Sequence, residues 1–112
     1  MKKFVAFYMM PIASIDEMMK NNTPEQQKAG MDNWMAWMKS HEASFVDRGA
    51  PLGKNKRVTK DGASDVRNEI TGYSVVQAES HDEAVALFAD SPHLQMPGAY
   101  VDVLELMQMP GM

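Results

Sequence analysis

The sequence offers few side chains that can move a proton near neutral pH, and His41 is the most informative of them. It falls between Met38 and Phe45 on the inner stripe of a predicted helix, where an imidazole is unfavourable unless it is hydrogen-bonded. One interpretation is a structural histidine bonded to a backbone carbonyl. The other is an acid, a base or a hydrogen-bond donor that faces a cavity between helix and sheet. The sequence leaves both interpretations open.

Ser91 and His93 are a second pair with chemical potential, because a serine hydroxyl beside an imidazole is the start of a nucleophile–base arrangement. The pair follows the second predicted helix, and helical spacing puts Ser91 on the inner face of that helix. A capping serine in a polar loop explains the same residues more simply. The candidate catalytic residues are therefore His41, His93 and Ser91.

Four large side chains could line a pocket for a small ligand, aromatic ones included: Tyr8, Trp34, Trp37 and Met38. The same side chains are suited to filling the core of a domain of 112 residues. We treat them as core residues first and as candidate ligand-binding residues second.

No metal site and no cofactor are predicted. The three histidines lack ligand spacing, and the absence of cysteine removes thiol catalysis, disulfides and cysteine-ligated zinc. The twelve methionines fit soft gap-filling of a core better than a thioether site for copper(I).

The charge pattern bears on partners and location. A net charge of −4 argues against nucleic acid as the main partner. The basic residues between Lys54 and Lys60 form either a solvated edge that resists strand pairing or an anion-binding rim. No apolar run is long enough for a membrane span, and Phe4–Met10 is too short for a signal peptide. We expect a cytoplasmic protein without a membrane partner.

The elements that must position these residues follow from periodicity and caps. One domain, 1–112, is expected. Thr23, Pro24 and Gln26 are typical of a helix start, and Ser80 with Glu83 forms a capping-box pattern. Ser14 and Glu17 repeat that pattern before a single predicted turn, Ile15–Lys20.

The predicted order of the main elements is β-α-β-β-α-β, which is the α+β, ferredoxin-like arrangement with a four-stranded antiparallel sheet. The elements are a strand over 2–9, a helix from Pro24 to about Arg48, a short edge strand Lys56–Thr59, a polar loop 63–68, a strand Ile70–Ala78, a helix after Ser80 and a strand Tyr100–Met107.

The apolar residues of the strands also predict a partner. Two helices can cover only one face of a four-stranded sheet, yet the strands 2–9 and Ile70–Ala78 are apolar on both faces. A second apolar face requires a cover, and no third helix is predicted for it. We therefore expect a homodimer that packs sheet face against sheet face and closes a dimeric α/β barrel.

Four segments resemble the YCII-related domain family of the dimeric α/β-barrel superfamily: Gly72–Val76, Ser80–Ala84, Ser91–Leu94 and Ala99–Val103. The similarity covers nearly the whole chain. Family members with a proposed role are lyases or isomerases of small, often aromatic compounds that use a histidine–aspartate pair. In this chain Pro24–Met31 lacks the family's histidine, and Ser91 replaces its aspartate, with Asp90 one position away.

The resemblance implies a small-molecule-binding protein that is a lyase or isomerase acting by histidine acid/base chemistry. The alternative is a non-catalytic dimeric accessory or interaction module, in which the histidines are structural. Whether the chain is an enzyme stays open at the level of sequence.

Overall fold

Six β-strands and three α-helices lie within residues 1–110, the part of the chain that this computed structural model describes. In chain order they are β1 (Lys2–Met9), α1 (Ile12–Asn21), α2 (Pro24–Ser40), β2 (Phe45–Pro51), β3 (Lys56–Thr59), β4 (Gly62–Asp65), β5 (Ile70–Ala78), α3 (His81–Leu87) and β6 (Tyr100–Glu105). Short 3₁₀ turns, Glu42–Ser44 and Pro92–Gln95, precede β2 and β6. Residues 111 and 112 of the predicted single domain lie outside the described part.

The main sheet has its four strands in the order β2-β5-β1-β6, and every neighbouring pair is antiparallel. β5 and β6 therefore run parallel to each other on either side of β1, which is the split βαβ arrangement. This confirms the predicted α+β, ferredoxin-like fold. The described chain by itself contains no closed barrel, so the dimeric barrel stays a prediction.

The hydrophobic core lies between the main sheet and the helices α2 and α3. Phe4, Ala6 and Tyr8 of β1 are buried there, because successive side chains of a strand point to opposite faces. Trp37 and Met38 of α2 pack against them. The other buried members of this core are Val76 of β5, Ala84 of α3 and Phe88.

Two predicted helix starts are present. The Thr23 hydroxyl accepts the Gln26 N–H at 3.2 Å, and the Gln26 side chain accepts the Thr23 N–H at 3.0 Å, which completes a capping box. Ser80 likewise accepts the Glu83 N–H at 3.2 Å. The Glu83 carboxylate, however, accepts the N–H of Glu79 rather than that of Ser80.

The predicted end of the long helix was wrong: α2 ends at Ser40, not near Arg48. The following residues extend and pair with β5 as the edge strand β2, with two register shifts along the pair. Gly49 has a φ of +78°, which no α-helix contains, and its N–H donates to the Asp47 carboxylate at 2.8 Å. Pairing with β5 therefore overrides the helical period in this segment.

The predicted edge strand also has a different partner. Lys56–Thr59 pairs with Gly62–Asp65 in a separate two-stranded sheet, and β2 takes the edge of the main sheet instead. The turn predicted at Lys60-Asp61-Gly62 joins the two strands of this hairpin. The prediction of a polar loop over 63–68 was thus wrong in its first part, because strand pairing with β3 extends Ala63 to Asp65.

Two further boundaries differ from the prediction. α1 has ten residues rather than one turn, and it begins after Pro11 without a side-chain cap, so the Ser14–Glu17 capping box is absent. Pro11 is the N-cap residue, with φ −55° and ψ 140°, and Ile12 is the first helical residue. β6 ends at Glu105 rather than at Met107.

The second face of the main sheet is left open by the described chain. The Cα trace is 19 Å thick in its shortest dimension, which matches one sheet and one helical layer. The strand register puts Val5, Phe7, Val75 and Leu104 on the face opposite the core, and Leu104 is 46% exposed. We call this surface the open face. Within residues 1–110, no helix combines the length and the apolar character needed to cross a bilayer.

Candidate functional site

The space between helix and sheet that was predicted as a cavity is filled by packed rings. Tyr8 lies edge-on to Trp34 and Phe88, with ring centroids 4.6 and 6.0 Å away. Trp37 lies 5.7 Å from both Trp34 and Phe88. Edge-to-face and tilted rings at these distances are the favourable aromatic geometry. Tyr8, Trp37 and Met38 are core residues and Trp34 packs on them, so their ligand-binding role stays a prediction.

A buried chain of hydroxyls anchors this aromatic layer to the sheet. The Ser74 hydroxyl donates to the carbonyl oxygen of Arg48 at 2.7 Å. Since that hydrogen is then committed, the Tyr8 hydroxyl donates to Ser74 Oγ at 2.9 Å. Burial raises the pKa of Tyr8 to about 12, with the Ser74 bond opposing it. Tyr8 is thus a neutral hydrogen-bond donor that links β1 to β5 and the edge strand β2.

His93 lies inside the fold and has a backbone partner. Its side chain is buried, and Nε2 lies 2.7 Å from the carbonyl oxygen of Met9. Burial lowers the pKa of His93, and the backbone bonds with Met9 and Tyr100 oppose that effect. The ring also packs against Tyr8 at 5.5 Å. This placement connects the 3₁₀ turn before β6 to the end of β1.

Ser91 is the cap that the sequence favoured. Its hydroxyl accepts the backbone N–H of His93 at 3.3 Å, and the residue is 2% exposed. The His93 ring is bonded to Met9 on another element, so Ser91 and His93 meet through the backbone rather than as hydroxyl and imidazole. Their catalytic role stays a prediction that this geometry does not favour.

His41 does not lie in the middle of a helix stripe, which corrects the prediction. It is the C-cap residue that follows Ser40, the last residue of α2, with φ −119° and ψ 20°, and its side chain is 30% exposed. Its ring packs edge-on against Trp37, one helical turn earlier, at 5.7 Å. His41 is therefore fixed by an aromatic neighbour on one side and accessible to solvent on the other.

Asp90 is the partner that sequence reasoning missed. Its Oδ2 lies 3.6 Å from His41 Nε2, while its Oδ1 accepts the indole N–H of Trp37 at 3.0 Å. The Trp37 hydrogen bond lowers the pKa of Asp90, partial desolvation opposes this, and His41 adds to the lowering. The signal was present, because Trp37 and His41 are four residues apart on a helix and Asp90 follows the other core helix.

Trp37, His41 and Asp90 form an oriented acid–base group, which we call the His41–Asp90 site. The indole holds the carboxylate, and the carboxylate faces an imidazole that solvent can reach. An imidazole in this setting can take a proton from a solute and return it. Among residues 1–110, no group of three or more histidine, aspartate or glutamate side chains is arranged to hold a metal ion.

No family model matches the chain, and no curated protein matches it in sequence. Among solved structures it is similar to 5-chloro-2-hydroxyhydroquinone dehydrochlorinase (TftG) from Burkholderia phenoliruptrix AC1100, in complex with 2,5-dihydroxybenzoquinone. The TM-score is 0.58 at 15% identity, and the similarity covers 96% of this chain and 95% of that one. At this identity the similarity shows the fold alone: this chain shares its ferredoxin-like fold with that enzyme.

Proposed function

We propose that the protein binds a small aromatic or carboxylic compound and acts on it as a lyase or isomerase of the YCII-related type, with His41 as the acid/base group. The observation that carries this proposal is the geometry around Asp90, whose two oxygens face Trp37 and His41 at 3.0 and 3.6 Å. The carboxylate is held in place by the indole, and it lies beside an imidazole that solvent can reach.

Access and proton transfer support the same assignment. The His41 side chain is 30% exposed, so a solute can approach it without opening the core. An isomerase removes a proton at one atom and returns it at another, and a single imidazole can do both. In a lyase elimination the imidazole takes the proton, the C–H electrons form the new double bond, and the leaving group departs with its own bonding pair. The similar fold of a dehydrochlorinase that binds a dihydroxybenzoquinone makes small hydroxylated rings the first compounds to test.

The other candidate residues have different parts in this proposal. Trp37 is a positioning residue, because it fixes the Asp90 carboxylate and packs against His41. His93 and Ser91 hold the turn before β6, and Tyr8, Trp34 and Met38 form the packed layer beneath the site.

The experiment is a thermal-shift and turnover screen of hydroxylated phenols, quinones, carboxylic acids and lactones on wild type, His41→Gln and His81→Gln. A ligand that binds the native state raises the melting temperature. His81 is an exposed histidine at the other end of α3 and serves as the control. We expect the response to be lost in His41→Gln and kept in His81→Gln. An equal response in both variants would remove His41 from the proposal.

A second candidate function is a non-catalytic homodimeric interaction module. The open face favours it, since Val5, Phe7 and Val75 form an apolar surface that two-layer folds rarely leave in water. We propose that a second copy covers this face in either case. The module alone accounts for the protein if no compound in the screen distinguishes wild type from His41→Gln.

A further inference from the structure

A groove of about 1020 Å³ lies between α1 and the β3–β4 hairpin, and we call it the hairpin groove. The groove lies at the Ile70 end of β5. The His41–Asp90 site lies near the other end of that strand, because Trp37 packs against Phe45 and Phe45 pairs with Val76. The two sites therefore share no residue and lie at opposite ends of one strand.

The wall of the hairpin groove on the side of α1 is apolar. Ile15, Met18 and Met19 line it, and Met19 is 74% exposed. Leu52, after the edge strand β2, lines the opposite side and is 43% exposed. None of the ten residues of α1 is buried. Three apolar side chains of α1 therefore line the groove without being buried in the core.

The charged residues that line the hairpin groove leave one positive charge uncompensated. Lys56 pairs with Asp65 at 2.6 Å, and Arg67 makes a two-pronged pair with Asp16 at 2.7 and 3.1 Å. Lys54 also lines the groove, and among the described residues it forms no ion pair.

The backbone of Lys54 is a separate indication. Its φ is +56°, and it is the one described residue other than glycine with a positive φ. Side chains disfavour this conformation, and residues that adopt it are concentrated at ligand-binding and catalytic positions. A glycine or asparagine would fit the turn with less strain, so the lysine side chain at this position calls for a function.

We propose that the hairpin groove binds a small apolar monocarboxylate, with its apolar part against α1 and its carboxylate on the Lys54 ammonium. The volume suits one small molecule, since such sites typically enclose roughly 300 to 1,000 Å³. Because Lys54 is the one uncompensated cation among the described residues of the groove, it favours a ligand with a single negative charge. A charge-assisted hydrogen bond from its ammonium stabilises the bound carboxylate. This site goes beyond the proposed function, because it involves neither His41 nor Asp90.

The test is calorimetric titration of 2-naphthoate and its neutral match, 2-naphthamide, into wild type, Lys54→Asn and Lys60→Asn. Asparagine tolerates a positive φ, so the first variant removes the ammonium while keeping the turn. Lys60 lies in the hairpin turn outside the groove, and its variant removes the same charge. We expect naphthoate to bind the wild-type protein with a much higher affinity than naphthamide. Lys54→Asn should lower the affinity for naphthoate roughly tenfold. Lys60→Asn should change its affinity less than about twofold.

Three results would overturn the proposal. Equal binding of naphthoate and naphthamide would show that the groove does not recognise the carboxylate. Equal weakening in Lys54→Asn and Lys60→Asn would assign the effect to net charge alone. Absence of naphthoate binding together with a loss of self-association in Met18→Asp would show that a second copy occupies the groove. A carboxylate bound in the hairpin groove would raise the melting temperatures of His41→Gln and His81→Gln alike, so each carboxylic acid that responds in the His41 screen is also tested on Lys54→Asn. A response lost in Lys54→Asn belongs to the groove, and a response lost in His41→Gln belongs to the His41–Asp90 site.

Discussion

The indole N–H of Trp37 donates to Asp90 Oδ1 at 3.0 Å, and this bond joins the two core helices at the point where the second one ends. Trp37 is otherwise a core residue, packed against Phe45 and Phe88. A core residue thereby fixes the position of the exposed Asp90 carboxylate. His41 faces the other oxygen of that carboxylate, so its surroundings are set by a buried ring although its own side chain is accessible.

Trp37→Phe should raise the pKa of Asp90 towards the ordinary value of 3.8, because the indole hydrogen bond is the largest cause of its lowering. A carboxyl group whose pKa is lower in the folded state than in the unfolded state stabilises the fold at pH values above its unfolded-state pKa. That stabilisation is lost as the pH falls through the folded-state pKa. Carboxyl carbon NMR titration of both proteins measures the shift, with Asp90→Asn assigning the signal. An unchanged Asp90 titration in the variant would contradict this account.

Ser74→Ala should destabilise the protein more than Tyr8→Phe. Removing the serine hydroxyl leaves the buried Tyr8 hydroxyl without its acceptor and the Arg48 carbonyl without its donor, which costs about 1 to 3 kcal/mol. Removing the tyrosine hydroxyl leaves the Ser74–Arg48 bond intact and should cost about 1 kcal/mol. Urea unfolding compares the two variants. The reverse order would contradict this account of the hydroxyl chain.

Gly49→Ala should severely destabilise β2. A Cβ at this position would lie 1.6 Å from the carbonyl oxygen of Tyr73, and the φ of +78° is unfavourable for alanine. We expect a loss on the order of 3 kcal/mol or more in the free energy of unfolding. Gly53→Ala is the matched control, because a Cβ there meets nothing within 4 Å. Similar stability of the two variants would show that β2 shifts easily along β5.

The stability of the protein should fall as the pH drops below the ordinary histidine pKa of 6.5, and His93 should cause part of that fall. Burial lowers its pKa in the folded state, so the unfolded chain binds the proton more readily. The loss begins as the pH falls below the unfolded pKa and continues down to the folded pKa. Urea unfolding at several pH values measures it. In His93→Gln this part of the fall in the free energy of unfolding should be absent. If the variant keeps the pH dependence of the wild type, His93 does not cause the fall.

Wild type should be a dimer at low micromolar concentration, and Phe7→Asp should make it a monomer. Phe7 pairs with Tyr73 and Asp102 near the middle of the open face, so its replacement by aspartate would put a second carboxylate beside Asp102 and remove a large apolar side chain from the proposed interface. Val58→Asp is the control, since Val58 lies on the hairpin and is 79% exposed. Sedimentation velocity distinguishes the states. A wild-type monomer would remove the proposed second copy from the open face.

The sequence predicted the elements whose signals are local. β1 and β5 have dense apolar and β-branched runs, and the Thr23 cap fixes the start of α2. The end of α2 could not be predicted in the same way. Phe45 continues the helical spacing from His41, and only its pairing with Val76, far along the chain, makes it extended. The β3–β4 hairpin was missed for a similar reason, since its second strand is short and polar.

The candidate site was predicted in part. The sequence identified His41 as the most informative residue and Trp37 as a core or ligand-binding residue, and both lie at the site. Asp90 was set aside because it is one position from the family's aspartate. Its role depends on where α3 ends relative to α2, which is a tertiary relationship. Packed rings lie between helix and sheet where the cavity was expected, so the cavity stays a prediction that this packing does not favour.

The strand order has a consequence for how the chain acquires its structure. Within residues 1–110, β1 pairs only with β5 and β6, so residues 2–9 lack a sheet partner from the described chain until residues 70–105 have been synthesised. This apolar segment is therefore unpaired during most of the synthesis of the domain. Pairing between residues far apart in sequence also slows folding. Nascent chains halted before residue 70 should depend most on chaperones, because the apolar strand β1 is exposed in them without its partner strands.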